Sequence, residues 1–152
     1  MSYRQILYHI VFGTKHRQLT ITEEHSKKLY SYIWGIVQNK NGKLFRINGV
    51  EDHIHILSDL HPSISLADFI KDIKVSSAIW MKDSGYFPNF DAWAEGYGAF
   101  TCSVKERQRI IDYIINQKEH HKKRTFKEEY LDFLQKFEVD YDEKYLFEWY
   151  DQ

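Results

Sequence analysis

At 152 residues, with 43% apolar and 28% charged side chains, the chain suits a single domain spanning 1–152 with enough apolar content for a core. No apolar run approaches the roughly 18 residues of a membrane span, and a lone cysteine, Cys102, excludes an internal disulfide. The net charge of −1 conceals an asymmetry: from Glu128 onward nine acidic residues face two basic ones, a net of −7, which leaves residues 1–127 at +6. A mildly basic body permits a polyanion partner without demanding one. The N-terminal stretch "MSYRQILYHIVF" carries one charge and no small-residue cleavage site, so no signal peptide is expected and a cytoplasmic protein is the simplest expectation. Cys102 reads as a small buried apolar residue.

The elements follow from local pattern. "YRQILYHIVF" (3–12) is rich in β-formers and reads as a first strand. After the loop "GTKHRQ", Thr20 or Thr22 can cap a helix to about Lys40 that places Leu29, Ile33, Ile36 and Val37 on one face. "KLFRINGV" and "HIHILSDL" form two short strands joined by a tight turn near Gly49 to Asp52. That separation is too short for a crossover, so they pair antiparallel. Ser65 caps the next helix, with Leu66, Phe69, Ile70, Ile73 and Trp80 at helical spacing, and "GYGAFTCS" is a further strand. Ser103 and Glu106 fit a capping box for a helix running to about Lys123, and Thr125 and Glu128 fit a second for a short helix to about Phe137. An acidic, aromatic tail, about 138–152, closes the chain. The order β-α-β-β-α-β-α-α predicts an α+β fold: a ferredoxin-like antiparallel sheet with helices packed on it, plus C-terminal helices.

Two features carry chemistry. His53 and His55 are two apart on a strand and therefore share a face, within reach of one metal ion, while Ile54 and Ile56 face the core. Alone the pair is weak, since a chain with eight histidines has room for coincidence and a structural role is the more ordinary reading. Downstream, Tyr113 and Gln117 lie four apart on one helix face; His120 continues on the Tyr113 side and His121 lies nearer the apolar stripe. A core-edge tyrosine and a solvated glutamine are the ordinary reading of that helix. Taken together, two imidazoles and an amide oxygen form a neutral ligand set that leaves a divalent cation its full charge for polarising a phosphate. The tyrosine supplies a hydroxyl able to attack phosphorus. The chain contains no G-x-S-x-G, Walker A or Rossmann glycine pattern. Asp52 reads as closing the turn, with the orientation of a ligand histidine as the alternative. Trp93, Tyr97 and Phe100 read as core in preference to base-stacking residues.

The stretches "GVEDHIHILSDL", "WAEGYGAFTCS" and "YIINQKEHHKKRTFKEEYLDFL" resemble the single-tyrosine HUH transposases of small bacterial insertion sequences, whose relatives include the REP-associated tyrosine transposases. The resemblance runs over essentially the whole chain. It implies metal-ligand roles for His53, His55 and Gln117, with His120 or His121 as alternatives to Gln117. It also implies a nucleophilic Tyr113, a divalent cofactor (Mg²⁺ or Mn²⁺), single-stranded DNA with hairpin ends as partner, and a homodimer. The activity it implies is cleavage and rejoining of element ends through a 5′-phosphotyrosine. Asn116-Gln117 departs from the Asn-Pro common after the tyrosine in the REP-associated branch, which favours the insertion-sequence branch. Candidate phosphate contacts are Lys118, Lys122, Lys123 and Arg124, then Lys15, Arg17, Lys71 and Lys74. The alternatives are a non-catalytic or domesticated nucleic-acid-binding regulator on the same fold, and an HUH replication or relaxase nickase.

Overall fold

The computed structural model describes residues 2–142 and Leu146. Strands β1 (Leu7–Gly13), β2 (Leu44–Val50), β3 (His53–Ser58) and β4 (Gly98–Cys102) alternate with helices α1 (Ser26–Asn39) and α2 (Leu66–Ser84). The strands form one antiparallel sheet in the order β2-β3-β1-β4, the ferredoxin-like plan expected from the sequence. Helices α3 (Arg107–Ile115), α4 (Gln117–His120) and α5 (Phe126–Lys136) follow.

Alternation along the strands divides the core into two layers. Ile10 and Phe12 of β1 and Ile54 and Ile56 of β3 meet Leu29, Ile33 and Val37 of α1 and Phe69, Ile70 and Ile73 of α2. Full burial of each such side chain stabilises by about 1.5–3 kcal/mol, so this layer anchors β3 from one side. The other face is covered by the C-terminal helices. Val11 and Phe100 pack with Phe126, Tyr130 and Leu134 of α5 and with Leu146, while Leu7 and Leu57 pack with Ile114 of α3. Trp93 and Phe100 are buried, as expected, and Tyr97 packs at the edge of the first layer. Cys102 is only half-buried, beside Leu7, Leu57 and Ile114. The acidic tail lies mostly outside the described residues.

Three boundaries differ from the sequence pattern, each for a tertiary reason. β1 begins at Leu7, not Tyr3, because its partners run out: Leu7 pairs with Cys102, the last residue of β4, and Tyr8 with Ser58, the last of β3. α1 begins at Ser26, beyond Thr20 and Thr22, because the amides of Thr20 and Ile21 donate to the Glu51 carbonyl (3.1 and 2.9 Å) and tie that segment to the β2–β3 turn. The helix expected to reach Lys123 stops at Ile115. The Asn48 side-chain amide of β2 donates to the carbonyls of Ile114 and Ile115 (3.0 Å each), satisfying helix-end acceptors that would otherwise bond onward. Ser65 and Thr125 cap their helices as expected, whereas the Ser103 capping box opens a short 3-10 turn, Val104–Glu106, that leads into α3; all three hydroxyls accept from the amide three residues on.

Gly49 lets β2 lie against the histidine strand. A Cβ there would stand 2.2 Å from the His53 carbonyl oxygen and 2.9 Å from Ile54 Cα, both backbone atoms that cannot yield. Gly49→Ala is expected to destabilise the fold by about 1–3 kcal/mol or more. Gly35→Ala, at a mid-helix site with nothing within 4 Å, is expected to stabilise by about 0.4–1 kcal/mol. Urea denaturation of the two variants beside the parent protein measures both.

Candidate active site

β3 presents His53 and His55 to the layer formed by α3, α4 and α5, and both rings are fully buried there. Each ring is oriented from behind. The Asp52 carboxylate accepts from His53 Nδ1 at 2.7 Å, which turns His53 Nε2 toward the helices. Asp52 therefore takes the orienting role that the sequence offered as the alternative to closing the turn, while its backbone carbonyl accepts from the Thr14 amide at 2.8 Å and ties the β2–β3 turn to the end of β1. His55 Nδ1 lies 2.8 Å from His9 Nε2, a partner on β1 that sequence pattern did not single out. Burial and the neighbouring His55 hold His9 well below the usual histidine range, so it is neutral. His55, lowered chiefly by burial, is neutral as well. His55 Nε2 is left facing the helices beside His53 Nε2.

The group facing these nitrogens is Glu129, fully buried on α5. Its Oε1 lies 3.2 Å from His53 Nε2, 3.0 Å from His55 Nε2 and 3.2 Å from His121 Nε2. Gln117, also fully buried, places Oε1 3.3 Å from His53 Nε2 and donates Nε2 to Glu129 Oε2 at 3.3 Å. Burial opposes charge on Glu129, yet the surrounding histidines hold its carboxyl well below the usual carboxylate range. Burial likewise opposes charge on His53, but Asp52 and Glu129 outweigh it and raise the ring to about 9. His53, His55 and Glu129 thus form a buried trio whose ligand atoms all lie within 4.8 Å of one another.

These donors fit a divalent cation. Two imidazole nitrogens, a carboxylate oxygen and an amide oxygen crowd together, and their electron pairs repel unless protons or a cation stand among them. Neighbouring ligand atoms of an octahedral ion with bonds of about 2.1 Å stand about 3.0 Å apart; Glu129 Oε1 stands 3.2 and 3.0 Å from the two imidazole nitrogens and Gln117 Oε1 3.3 Å from His53 Nε2, with the His53, His55 and Glu129 atoms all within 4.8 Å. Mixed imidazole and carboxylate donors suit Mn²⁺, and carboxylates suit Mg²⁺.

Tyr113 stands over this cluster in the same chain, its ring 5.9 Å from that of His55. Its hydroxyl donates to Glu129 Oε2 and accepts from Arg124 Nη2 at 3.1 Å. Burial and the Glu129 charge push its pKa up, and Arg124 works against them. Of the two histidines considered in place of Gln117, His120 stacks on the Tyr113 ring at 4.4 Å, whereas His121 points at Glu129. A cleft of about 310 Å³ opens beside Tyr113 and is lined by Arg109, Arg124 and Lys136 together with Ile110 and Phe133.

The candidate phosphate contacts separate by location. Arg17, Lys122, Lys123 and Arg124 share one groove of about 540 Å³ with His121, where they outnumber the carboxylates Glu51, Asp52 and Glu128. Arg17 reaches Asp52 (Nε to Oδ2, 3.9 Å), so its charge sits just behind His53. Lys71 and Lys74 are on α2, across the sheet from Tyr113. The Lys74 ammonium donates to the carbonyls of Ala94 (3.0 Å) and Gly96, and burial lowers its pKa to about 8. Lys15 pairs with Asp91 at 3.9 Å and Lys118 with Glu23 at 2.9 Å, both at the surface.

Glu129 is the site residue that motif and spacing missed. A signal was present: it falls in the apolar stripe Phe126, Tyr130, Phe133, Leu134, where a carboxylate needs partners of its own.

A ferredoxin-like sheet whose inner strand carries two histidines beneath a tyrosine-bearing helix defines the HUH class of insertion-sequence transposases. The comparisons agree. The family model "Transposase IS200 like" matches residues 2–117, well over half of the chain, and the protein belongs to that family. It is 28% identical over 120 residues to the transposase for insertion sequence element IS200 of Salmonella typhimurium, covering 76% of this chain and 78% of that one. It is 26% identical over 120 residues to the ISDra2 transposase TnpA of Deinococcus radiodurans, covering 74% and 84%. A crystal structure of a candidate transposase from Deinococcus radiodurans superposes with a TM-score of 0.61 at 26% identity, over 77% of this chain and 95% of that one. A REP-associated tyrosine transposase bound to a REP hairpin shares the fold, with a TM-score of 0.58 at 13% identity over 80% and 74%. No helix among the described residues is long and apolar enough to cross a membrane.

Removing the carboxylate behind His53 tests the orientation of that ring. Asp52→Ala is expected to weaken Mn²⁺ binding about 10- to 100-fold with little change in circular dichroism. Calorimetric titration reads the affinity.

Proposed function

We propose that this transposase is a divalent-metal-dependent enzyme that cleaves and rejoins single-stranded DNA at its element ends through Tyr113. The observation that carries the proposal is the gathering of the Tyr113 hydroxyl and the His53 and His55 Nε2 atoms on one buried carboxylate, with the Gln117 amide oxygen 3.3 Å from His53 Nε2. His53, His55 and Gln117 would hold Mg²⁺ or Mn²⁺, which when bound supplies positive charge to polarise the scissile phosphate.

The chain's own groups account for the remaining chemistry. Tyr113 attacks phosphorus with its hydroxyl oxygen and loses its proton to solvent, while Glu129 Oε2, which accepts from that hydroxyl, orients it. The new O–P bond forms as the P–O3′ bond breaks, and the 3′ oxygen keeps the electron pair and takes a proton from solvent. The 5′ phosphate stays on Tyr113. Arg124, which donates to the same hydroxyl oxygen, favours the anionic phenolate and so also eases its departure when a 3′ hydroxyl attacks in the reverse direction. The phosphotyrosine is itself a phosphodiester, so rejoining requires no nucleotide. Arg17, Lys122, Lys123 and Arg124 supply the phosphate contacts for the strand that enters the site. A hairpin near each end and a homodimeric assembly follow from the family resemblance.

Mixing the protein with a single-stranded oligonucleotide carrying its element end, in Mg²⁺ or Mn²⁺, is expected to give a denaturant-stable protein–DNA adduct. The adduct is expected to disappear with Tyr113→Phe or with a chelator. An undiminished yield from Tyr113→Phe would remove Tyr113 from the mechanism, and DNA binding with no adduct under any metal would favour a non-catalytic binding module.

A further inference from the structure

Glu129 lies beyond residues 2–117, the span matched by the family model, and yet it occupies the centre of the site. Its two oxygens face different groups. Oε1 faces the Nε2 atoms of His53 and His55, and Oε2 receives the Tyr113 hydroxyl and the Gln117 amide. Charge balance with the imidazoles needs only Oε1, so the contact of Oε2 with the Tyr113 hydroxyl is what goes beyond a structural ion pair.

We propose that Glu129 links the metal to the nucleophile: Oε1 joins His53 and His55 as a metal ligand while Oε2 holds the Tyr113 hydroxyl in place beside it. The proposal rests on the metal-dependent reading above and deepens it. The carboxylate is carried on a rigid base. The Thr125 capping box fixes the first turn of α5, and the Phe126 ring stacks on His53 with centroids 3.9 Å apart and planes parallel. Gly13 makes room for that ring, since a Cβ there would meet Phe126 Cε2 at 2.7 Å. Because one carboxylate serves both partners, occupancy of the metal site and the position of Tyr113 are coupled. With a cation held at Oε1, Oε2 would keep the Tyr113 hydroxyl on the same side of the carboxylate group as it now stands.

The test uses the full chain and two measurements. Mn²⁺ affinity is measured by calorimetry for the parent protein, Glu129→Gln, Tyr113→Phe and the double variant His53→Ala/His55→Ala. Separately, 3-fluorotyrosine placed at position 113 reports by ¹⁹F NMR on its surroundings as Mg²⁺ is added. Expected are a loss of at least about 10-fold in Mn²⁺ affinity for Glu129→Gln, a change under about 3-fold for Tyr113→Phe, and a fluorine signal that moves with Mg²⁺ in the parent but stays put in Glu129→Gln at saturating Mg²⁺. A Glu129→Gln protein that binds Mn²⁺ as the parent does, or whose fluorine signal still follows Mg²⁺, overturns the link. Retention of Mn²⁺ by the double histidine variant would instead remove the metal site itself, so the two failures are distinguishable.

Discussion

The buried carboxylate of Glu129 is the constraint on which the second half of this molecule depends. A charge with no exposure to water is tolerable only when surrounded by hydrogen-bond donors or cations, and here those partners come from four separate pieces of chain. His53 and His55 arrive from β3, Tyr113 from α3, Gln117 from α4, and His121 from the segment that leads into α5. The C-terminal helices therefore cover the sheet in one arrangement rather than in any of the several that apolar packing alone would allow.

That arrangement explains the interruption between α3 and α4. A continuous helix would satisfy its own carbonyls, but Asn48 takes the carbonyls of Ile114 and Ile115, and the chain restarts with Gln117 buried against His53 and Glu129. Tyr113 and Gln117 remain neighbours, now on two short helices fixed independently to β2 and to the site. The opposite face of the sheet carries none of this polarity. Ile54 and Ile56 are locked into an apolar layer, which leaves the histidine strand little freedom to shift when the charge at the site changes.

The family resemblance and the physical site overlap without coinciding. The matched span ends at Gln117 and so includes both histidines and the tyrosine, all of them placed on β3 and α3 by the common fold. α5 follows that span and contributes the carboxylate, the aromatic ring stacked on His53 and the apolar residues that seal the layer. Nearby, Arg17 on the loop after β1 and Lys122 to Arg124 after α4 assemble a basic groove from segments more than 100 residues apart. Lys71 and Lys74 are equally basic in sequence but sit on the other side of the sheet.

Much of this was legible in the sequence for local reasons. Alternation over "HIHILS" set which face of β3 carries the histidines, because successive strand side chains must point opposite ways. The pairs Ser103/Glu106 and Thr125/Glu128 marked helix starts because a hydroxyl and a carboxylate three residues apart satisfy each other's backbone amides. The spacing of Tyr113 and Gln117 put them one turn apart. The sequence could not show which residues from distant elements would fill the space above the histidines. Nothing local to Glu129 names His53 as its partner 76 positions away. Nothing local to Asn48 says that it will end a helix 66 residues later, and His9 gave no hint that it would orient His55. Those choices belong to tertiary structure, because burial decides them: once the sheet and α5 close over one another, each polar group left inside must find whichever partner the fold has brought within about 3 Å.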